Sequence, residues 1–133
     1  MKKIIHISLA VLLCLLGLAG CTQKENNMEH TYQQITAQEA KAIMDSGEAH
    51  VIIDARTQEE FAAGHIANAI LIPEYEIADR AEAELPEKDA LILVYCRSGR
   101  RSKIASEELV KLGYTNVKEF GGIIDWPYET TAD

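Results

Sequence analysis

The sequence is short of cysteine and of positive charge. Its 133 residues hold three cysteines, Cys14, Cys21 and Cys96. Folded domains of ~100 residues are common without disulfide staples, so this scarcity does not exclude a stable fold. Thirteen Lys and Arg stand against 21 Asp and Glu, a formal net charge of −8. That balance argues against nucleic acid as a partner, because phosphate binding needs a basic face. It also leaves no polybasic patch for anionic lipid. Internal repeats and low-complexity tracts are missing. His30, His50 and His65 lack metal-ligand spacing, so no metal site is expected. What is present is one domain's length of chain with 47% apolar residues, as in ordinary globular proteins.

The first twenty residues stand apart. Met1-Lys2-Lys3 is a basic n-region, and residues 4–20 form an apolar run ending in small residues. Together they read as an export signal and not as part of the fold. Leu18-Ala19-Gly20-Cys21 resembles a bacterial lipobox. The resemblance implies lipid on Cys21 as the mature N-terminus. It implies a domain anchored by that lipid in the bacterial cell envelope, outside the cytoplasm. Cys14 then leaves with the signal, and Cys96 is the one thiol of the folded part. Exported proteins usually pair their cysteines. A lone thiol is either a reactive group or a small buried hydrophobe, and the count leaves both open.

Residues 21–31 are polar and aperiodic and read as a tether. Residues 32–128 form the expected domain, and 129–133 a C-terminal tail. Thr36-Ala37-Gln38-Glu39 is a capping box, predicting a helix to about Ser46 with Gly47 behind it. Residues 50–55 read as a buried strand. Thr57-Gln58-Glu59-Glu60 is a second capping box, opening a short helix that ends at Gly64. Strands are expected at 69–73, 90–96 and 116–120, and helices at 75–84 and 102–112. The run 90–96 is the most apolar and is expected at the sheet centre. In the helix 102–112, Ile104, Ala105, Glu108, Leu109 and Leu112 share one side, whose apolar members would pack on the sheet. Strands separated by helices predict an α/β domain with a mostly parallel central sheet and helices on both faces. Ligands of such sheets bind beyond the carboxyl ends of the strands, where Cys96 lies.

The sequence after Cys96 is Arg97-Ser98-Gly99-Arg100-Arg101, with Lys103 just beyond. Three of the chain's five arginines thus follow its lone domain thiol within five residues. A strand end, a short loop and a helix start can focus N–H groups on one point. Gly99 can take a positive φ and let the loop curl. Such a loop favours thiolate over thiol and holds an anion against it. The alternative is a turn that carries solvated arginines.

The six residues Cys96 to Arg101 resemble the active-site loop of rhodaneses. Asp54-Ala55-Arg56, Glu60-Phe61, Gly64-His65-Ile66, Ala69 and Pro73 resemble that family's first signature. Gly113-Tyr114, Val117, Gly121-Gly122 and Trp126 resemble its closing one. The resemblance covers residues 32–128 and implies a single rhodanese-like domain acting as a sulfurtransferase. Cys96 would be the catalytic nucleophile. Arg97, Ser98, Gly99, Arg100 and Arg101 would bind substrate. Sulfane sulfur would pass from thiosulfate or a persulfide, through a Cys96 persulfide, to a thiol or cyanide. No cofactor is implied, and the protein partner is unknown. The second possibility is an envelope sulfur-carrier or thiol-relay module serving a partner protein, with little activity on free thiosulfate. Phosphatases of this kind place five residues between cysteine and arginine, whereas Arg101 follows four. The resemblance also implies a structural role near the site for Asp54 and Arg56. The capping box accounts for Glu60, and packing for Phe120 and Trp126.

Overall fold

The computed structural model describes residues 30–133. Cys21, the export signal and most of the tether lie outside the described residues. The chain runs β1 (Gln33–Gln34), α1 (Ala37–Asp45), β2 (Val51–Asp54), α2 (Gln58–Ala63), β3 (Ile70–Leu71), α3 (Ile77–Glu84), β4 (Ile92–Cys96), α4 (Arg100–Lys111) and β5 (Val117–Gly122). Single 3-10 turns precede α3 and follow β5. The sheet order is β1-β5-β4-β2-β3, with every pairing parallel. The expected α/β architecture is present, and β4 is the central strand.

Both capping boxes form. Thr36 Oγ1 accepts the N–H of Glu39, whose carboxylate accepts the N–H of Thr36. Thr57 and Glu60 repeat the exchange at α2. Each pairing satisfies backbone donors that a helix start leaves free.

Side chains of β4 alternate between two cores, as a two-residue period requires. Ile92, Val94 and Cys96 join Ile77 and Ala81 of α3 and Ala105 and Leu109 of α4. Leu91, Leu93 and Tyr95 join Ala40 of α1, Phe120 and Trp126 on the opposite face. Helices therefore cover both faces, and β4 is buried along its whole length.

Four details depart from the sequence reading. β1 is a two-residue polar strand on the β5 edge, held by backbone pairing alone. The strand expected over 69–73 shortens to two residues, because a 3-10 turn begins behind Pro73. Helix α4 starts at Arg100, two residues early. Ile104 is 39% exposed, while Ser102, Ala105, Ser106 and Leu109 form the buried side. Starting the helix earlier does not turn it. The stripe is set by its buried serines, and the Ser106 hydroxyl donates to Ser102 O at 2.7 Å. In the segment expected as a tail, Thr131 exchanges two backbone hydrogen bonds with His65.

Candidate active site

Cys96 ends β4, and the chain turns at once into α4. The turn depends on two glycines. Gly99 has φ +102° and stands at the N-cap of α4 without any side-chain capping bond. Gly122 has an extended φ of −125°, so its freedom is not the point. A Cβ there would lie 2.1 Å from Arg97 O and 2.6 Å from Ser98 Cα. The loop backbone rests directly on β5 at this position. The register of β4 on β5 shifts between Val94 and Cys96, which sets Cys96 opposite Gly122.

The missing cap of α4 explains the cradle. Threonines take the free N–H groups of α1 and α2, but at α4 the sulfur takes that place. Gly99 N–H donates to Cys96 Sγ at 3.0 Å. The N–H groups of Ser98 and Ser102 also act on Sγ. The Ser102 hydroxyl lies 3.4 Å away. Cys96 is 1% exposed, and burial is the largest influence on its thiol, pushing the pKa up. The Ser102 hydroxyl and the N–H groups of Ser102, Gly99 and Ser98 outweigh it, so the pKa is lowered from the usual thiol value. Hydrogen bonds from the loop, more than the arginines, hold the thiolate.

The arginines divide. Arg97 and Arg100 are exposed. Arg101 is half-buried and gives two hydrogen bonds to Glu60, at 2.7 and 2.8 Å. The guanidinium of Arg101 also feels the charge of Cys96. Glu60 is held down to about 2, first by Arg101, against its own burial and with help from Thr57. The capping box is thus only half of what Glu60 does. This carboxylate also ties α2 to the first turn of α4. Ser98 is exposed, and Gly99 is buried beneath the loop.

Asp54 and Arg56 form a closed unit beside the loop. Asp54 is fully buried and Arg56 is 5% exposed. Arg56 Nη2 meets Asp54 Oδ2 at 2.7 Å, and Arg56 Nε and the Arg56 N–H reach Oδ1 at 3.0 and 2.9 Å. Tyr95 Oη donates to Asp54 Oδ2 at 2.6 Å and accepts from Ile66 N–H. Arg56 also donates to Gly64 O. Burial, then the bond to Asp54, raises the Tyr95 pKa. His65 stacks on Phe61, its Nδ1 bonds to Phe61 O, and nothing links it to Cys96.

One residue near the sulfur escaped the sequence reading. Glu119 on β5 is 2% exposed and accepts from the Ser102 hydroxyl at 2.6 Å. Strand alternation is the signal that would have found it: two positions beyond buried Val117, it shares that residue's face.

A groove of about 790 Å³ lies elsewhere. Its walls include Met44, Ile52, Ile66, Trp126 and Tyr128 and no residue of the Cys96 loop.

The Rhodanese-like domain family matches residues 36–127. Thiosulfate sulfurtransferase PspE of Escherichia coli K12 is 40% identical over 73 residues, covering 55% of this chain and 70% of that protein. Adenylyltransferase and sulfurtransferase UBA4 of Candida albicans is 33% identical over 100 residues. These are 70% of this chain but only 23% of the UBA4 length. A structure described as rhodanese with anions from E. coli superposes with a TM-score of 0.60 at 35% identity, covering 64% of this chain and all of that one. With a family match over most of its length and a cysteine cradle at the end of the central parallel strand, the chain belongs to the rhodanese-like domain family.

Proposed function

We propose that the protein is a thiosulfate-type sulfurtransferase that carries sulfur as a persulfide on Cys96. Relatives named as sulfurtransferases support sulfur transfer in general. The observation that carries the finer reading is the convergence of N–H groups on Sγ, in a loop that also carries the exposed Arg97 and Arg100.

The thiolate attacks the outer sulfur of thiosulfate. A Cys96 S–S bond forms, the S–S bond of the donor breaks, and its electron pair leaves on sulfite. The charge now sits on the outer sulfur of the persulfide. A thiolate or cyanide acceptor attacks that sulfur, and the electron pair of the broken S–S bond returns to Cys96. This is covalent catalysis in two half-reactions. In this reading each part has a task. The N–H groups stabilise negative charge on sulfur in both resting and loaded states. Arg97 and Arg100 are free to meet an anionic donor. Cys96 itself is almost closed off, and a persulfide carries the reactive atom about 2 Å outward, the length of an S–S bond.

The test is thiosulfate:cyanide turnover by the full chain beside Cys96→Ser. Turnover that vanishes in the variant supports the reading. A Cys96 persulfide seen by mass spectrometry after polysulfide, without thiosulfate turnover, would replace the thiosulfate enzyme with a sulfur-relay module. Neither signal would end the sulfur-transfer reading.

The lipobox-like Leu18-Ala19-Gly20-Cys21 motivates a second proposal, lipid anchorage in the cell envelope. Fatty-acid labelling of the full chain that persists in Cys21→Ser would contradict it.

A further inference from the structure

Glu119 is a buried carboxylate that the sulfur-transfer chemistry above does not use. Its Oε1 accepts from the Ser102 hydroxyl at 2.6 Å and from Gly121 N–H at 2.8 Å. Among the described residues it has no ion-pair partner. A buried charge without a cation is expensive, and where one persists near a reactive group its purpose is worth asking.

Ser102 stands between Glu119 and the sulfur. Its hydroxyl has one proton and four neighbours: Glu119 Oε1 at 2.6 Å, Gly99 O at 3.0 Å, and Gly121 O and Cys96 Sγ at 3.4 Å. The carboxylate is the nearest and the only anionic oxygen of the set, so it takes the proton. The lone pairs of Ser102 Oγ are then free to accept from the thiol. The chain of donors therefore has one direction, from S–H to O–H to carboxylate.

We propose that Glu119 is the proton acceptor of the Cys96 thiol, reached through the Ser102 hydroxyl. The S–H bond breaks with its electron pair left on sulfur, and the proton joins Ser102 Oγ. The original Ser102 proton passes to Glu119 Oε1. Ser102 ends unchanged in composition, now donating to the thiolate. Negative charge leaves a place without a cation and arrives where the N–H groups of Ser98, Gly99 and Ser102 meet it. The reverse movement returns a proton to Cys96 when sulfur has been handed on. This purpose rests on the sulfur-transfer reading, whereas the proton path rests on the geometry alone.

The competing acceptors are engaged. The oxygens of Asp54 hold Arg56 and Tyr95, and those of Glu60 hold Arg101 and Thr57. His65 is bonded to Phe61 O. Other charged or titratable groups surround the pair. Tyr32, ahead of β1, is raised by its burial and then by Glu107 and Glu119. Arg101 faces Cys96 and Asp54. Arg97, Arg100 and Lys103 line the loop and α4, and Lys118 precedes Glu119 on β5. None of them hydrogen-bonds to Sγ or to Ser102 Oγ.

The test is the rate of Cys96 alkylation by iodoacetamide against pH, read on the full chain by peptide mass spectrometry. A thiol and carboxylate sharing a proton titrate as a pair in two macroscopic steps. The wild type is expected to show both steps, with a plateau of reactive thiolate between them. Glu119→Gln keeps the acceptor oxygen but cannot take the proton. It should leave one step, below which the rate falls about tenfold per pH unit, as for a single titrating group. Ser102→Ala should also leave one step, moved to higher pH because the carboxylate charge stays and the hydroxyl is gone. Near-ultraviolet circular dichroism of both variants checks that the fold is kept. One step in the wild type, or two steps surviving in Glu119→Gln, overturns the proposal. Two steps in Ser102→Ala would reduce Glu119 to a nearby charge and overturn the path. Alkylation uses no sulfur donor, so this result and the thiosulfate assay can fail independently.

Discussion

Two buried carboxylates flank the central strand, and they live in opposite circumstances. Asp54 ends β2 on one side of β4, and Glu119 lies in β5 on the other. Asp54 is saturated: Arg56 gives it an ion pair and a backbone N–H, and Tyr95 gives a hydroxyl. Glu119 has a serine hydroxyl and one N–H. The arginines divide in the same way. Arg56, Arg80 and Arg101 each hold a carboxylate, whereas Arg97 and Arg100 have none among the described residues. The Glu60–Arg101 pair ties α2 to α4. Arg97, Arg100 and Glu119 hold no opposite charge among the described residues.

The same edit on both sides of β4 is the strongest way to break that contrast. Asp54→Asn leaves the Arg56 guanidinium buried without its counter-charge. Losing one partner of a buried pair costs about 3–5 kcal/mol, and the urea midpoint should fall accordingly. Glu119→Gln removes a buried charge, orphans no cation and keeps an acceptor for Ser102 and Gly121. Its stability should stay within about 1 kcal/mol of the wild type. Equal losses in the two variants would erase the distinction.

Gly122→Ala comes next. The added Cβ would meet the backbone of Arg97 and Ser98 far inside contact distance, and backbone cannot swing aside as a side chain can. The loop must lift or β5 must shift. Overpacking of this kind typically costs about 1–3 kcal/mol. The loop N–H groups should lose their aim at Sγ, so the Cys96 alkylation pH profile should move towards that of an ordinary thiol. A variant with unchanged stability and profile would show that the loop does not rest on Gly122.

The free arginines should act on the donor and leave the fold alone. Replacing Arg97 and Arg100 together by Gln removes two exposed charges that hold no carboxylate. Stability should change by less than about 0.5 kcal/mol, as for most surface positions. The thiosulfate KM should rise several-fold, by about 1 kcal/mol of charge-assisted contact, and depend less on salt. A variant with unchanged KM would take both arginines out of donor binding.

How much of this was readable in the sequence follows from the range of each interaction. The capping boxes at Thr36 and Thr57 span three residues, and both formed. The apolar run 90–96 placed β4 at the centre because a strand buried on both faces has no polar side to show. The edge strand β1 was invisible: Gln33-Gln34 owes its conformation to backbone bonds with residues 118 and 119, not to its own side chains. The start of α4 was misplaced because Gly99 offers no capping side chain, and the cap it lacks is a sulfur at the end of another element. Glu60 looked complete within its own turn, yet Arg101 lies 41 residues away. The loop after Cys96 was legible as a tight turn from the central strand into a helix. Its arginines drew attention, whereas the Ser102 hydroxyl and the N–H groups of Ser102, Gly99 and Ser98, which only the fold aims at Sγ, do most to hold the thiolate. Alternation along β5 marks Glu119 as buried, but only the fold brings it to Ser102.

The smallest effect belongs to the Glu60–Arg101 pair, and it separates a paired arginine from the free ones. Arg101 is 21% and Glu60 28% exposed in the side chain, so solvent screens part of their attraction. A double-mutant cycle with Glu60→Gln and Arg101→Gln should give a coupling of about 1 kcal/mol or less. Its pH dependence has a fixed sign. The folded pKa of Glu60, about 2, lies below the ordinary Glu value of about 4.3. The stabilisation is therefore complete above the ordinary value and is lost as pH falls towards 2. The gap in unfolding free energy between wild type and Glu60→Gln should shrink over that window and stay constant between pH 6 and 8. A gap that instead closes near neutrality would mean that Arg101 holds Glu60 only weakly. It would place Arg101 with Arg97 and Arg100 as a charge free to meet the donor.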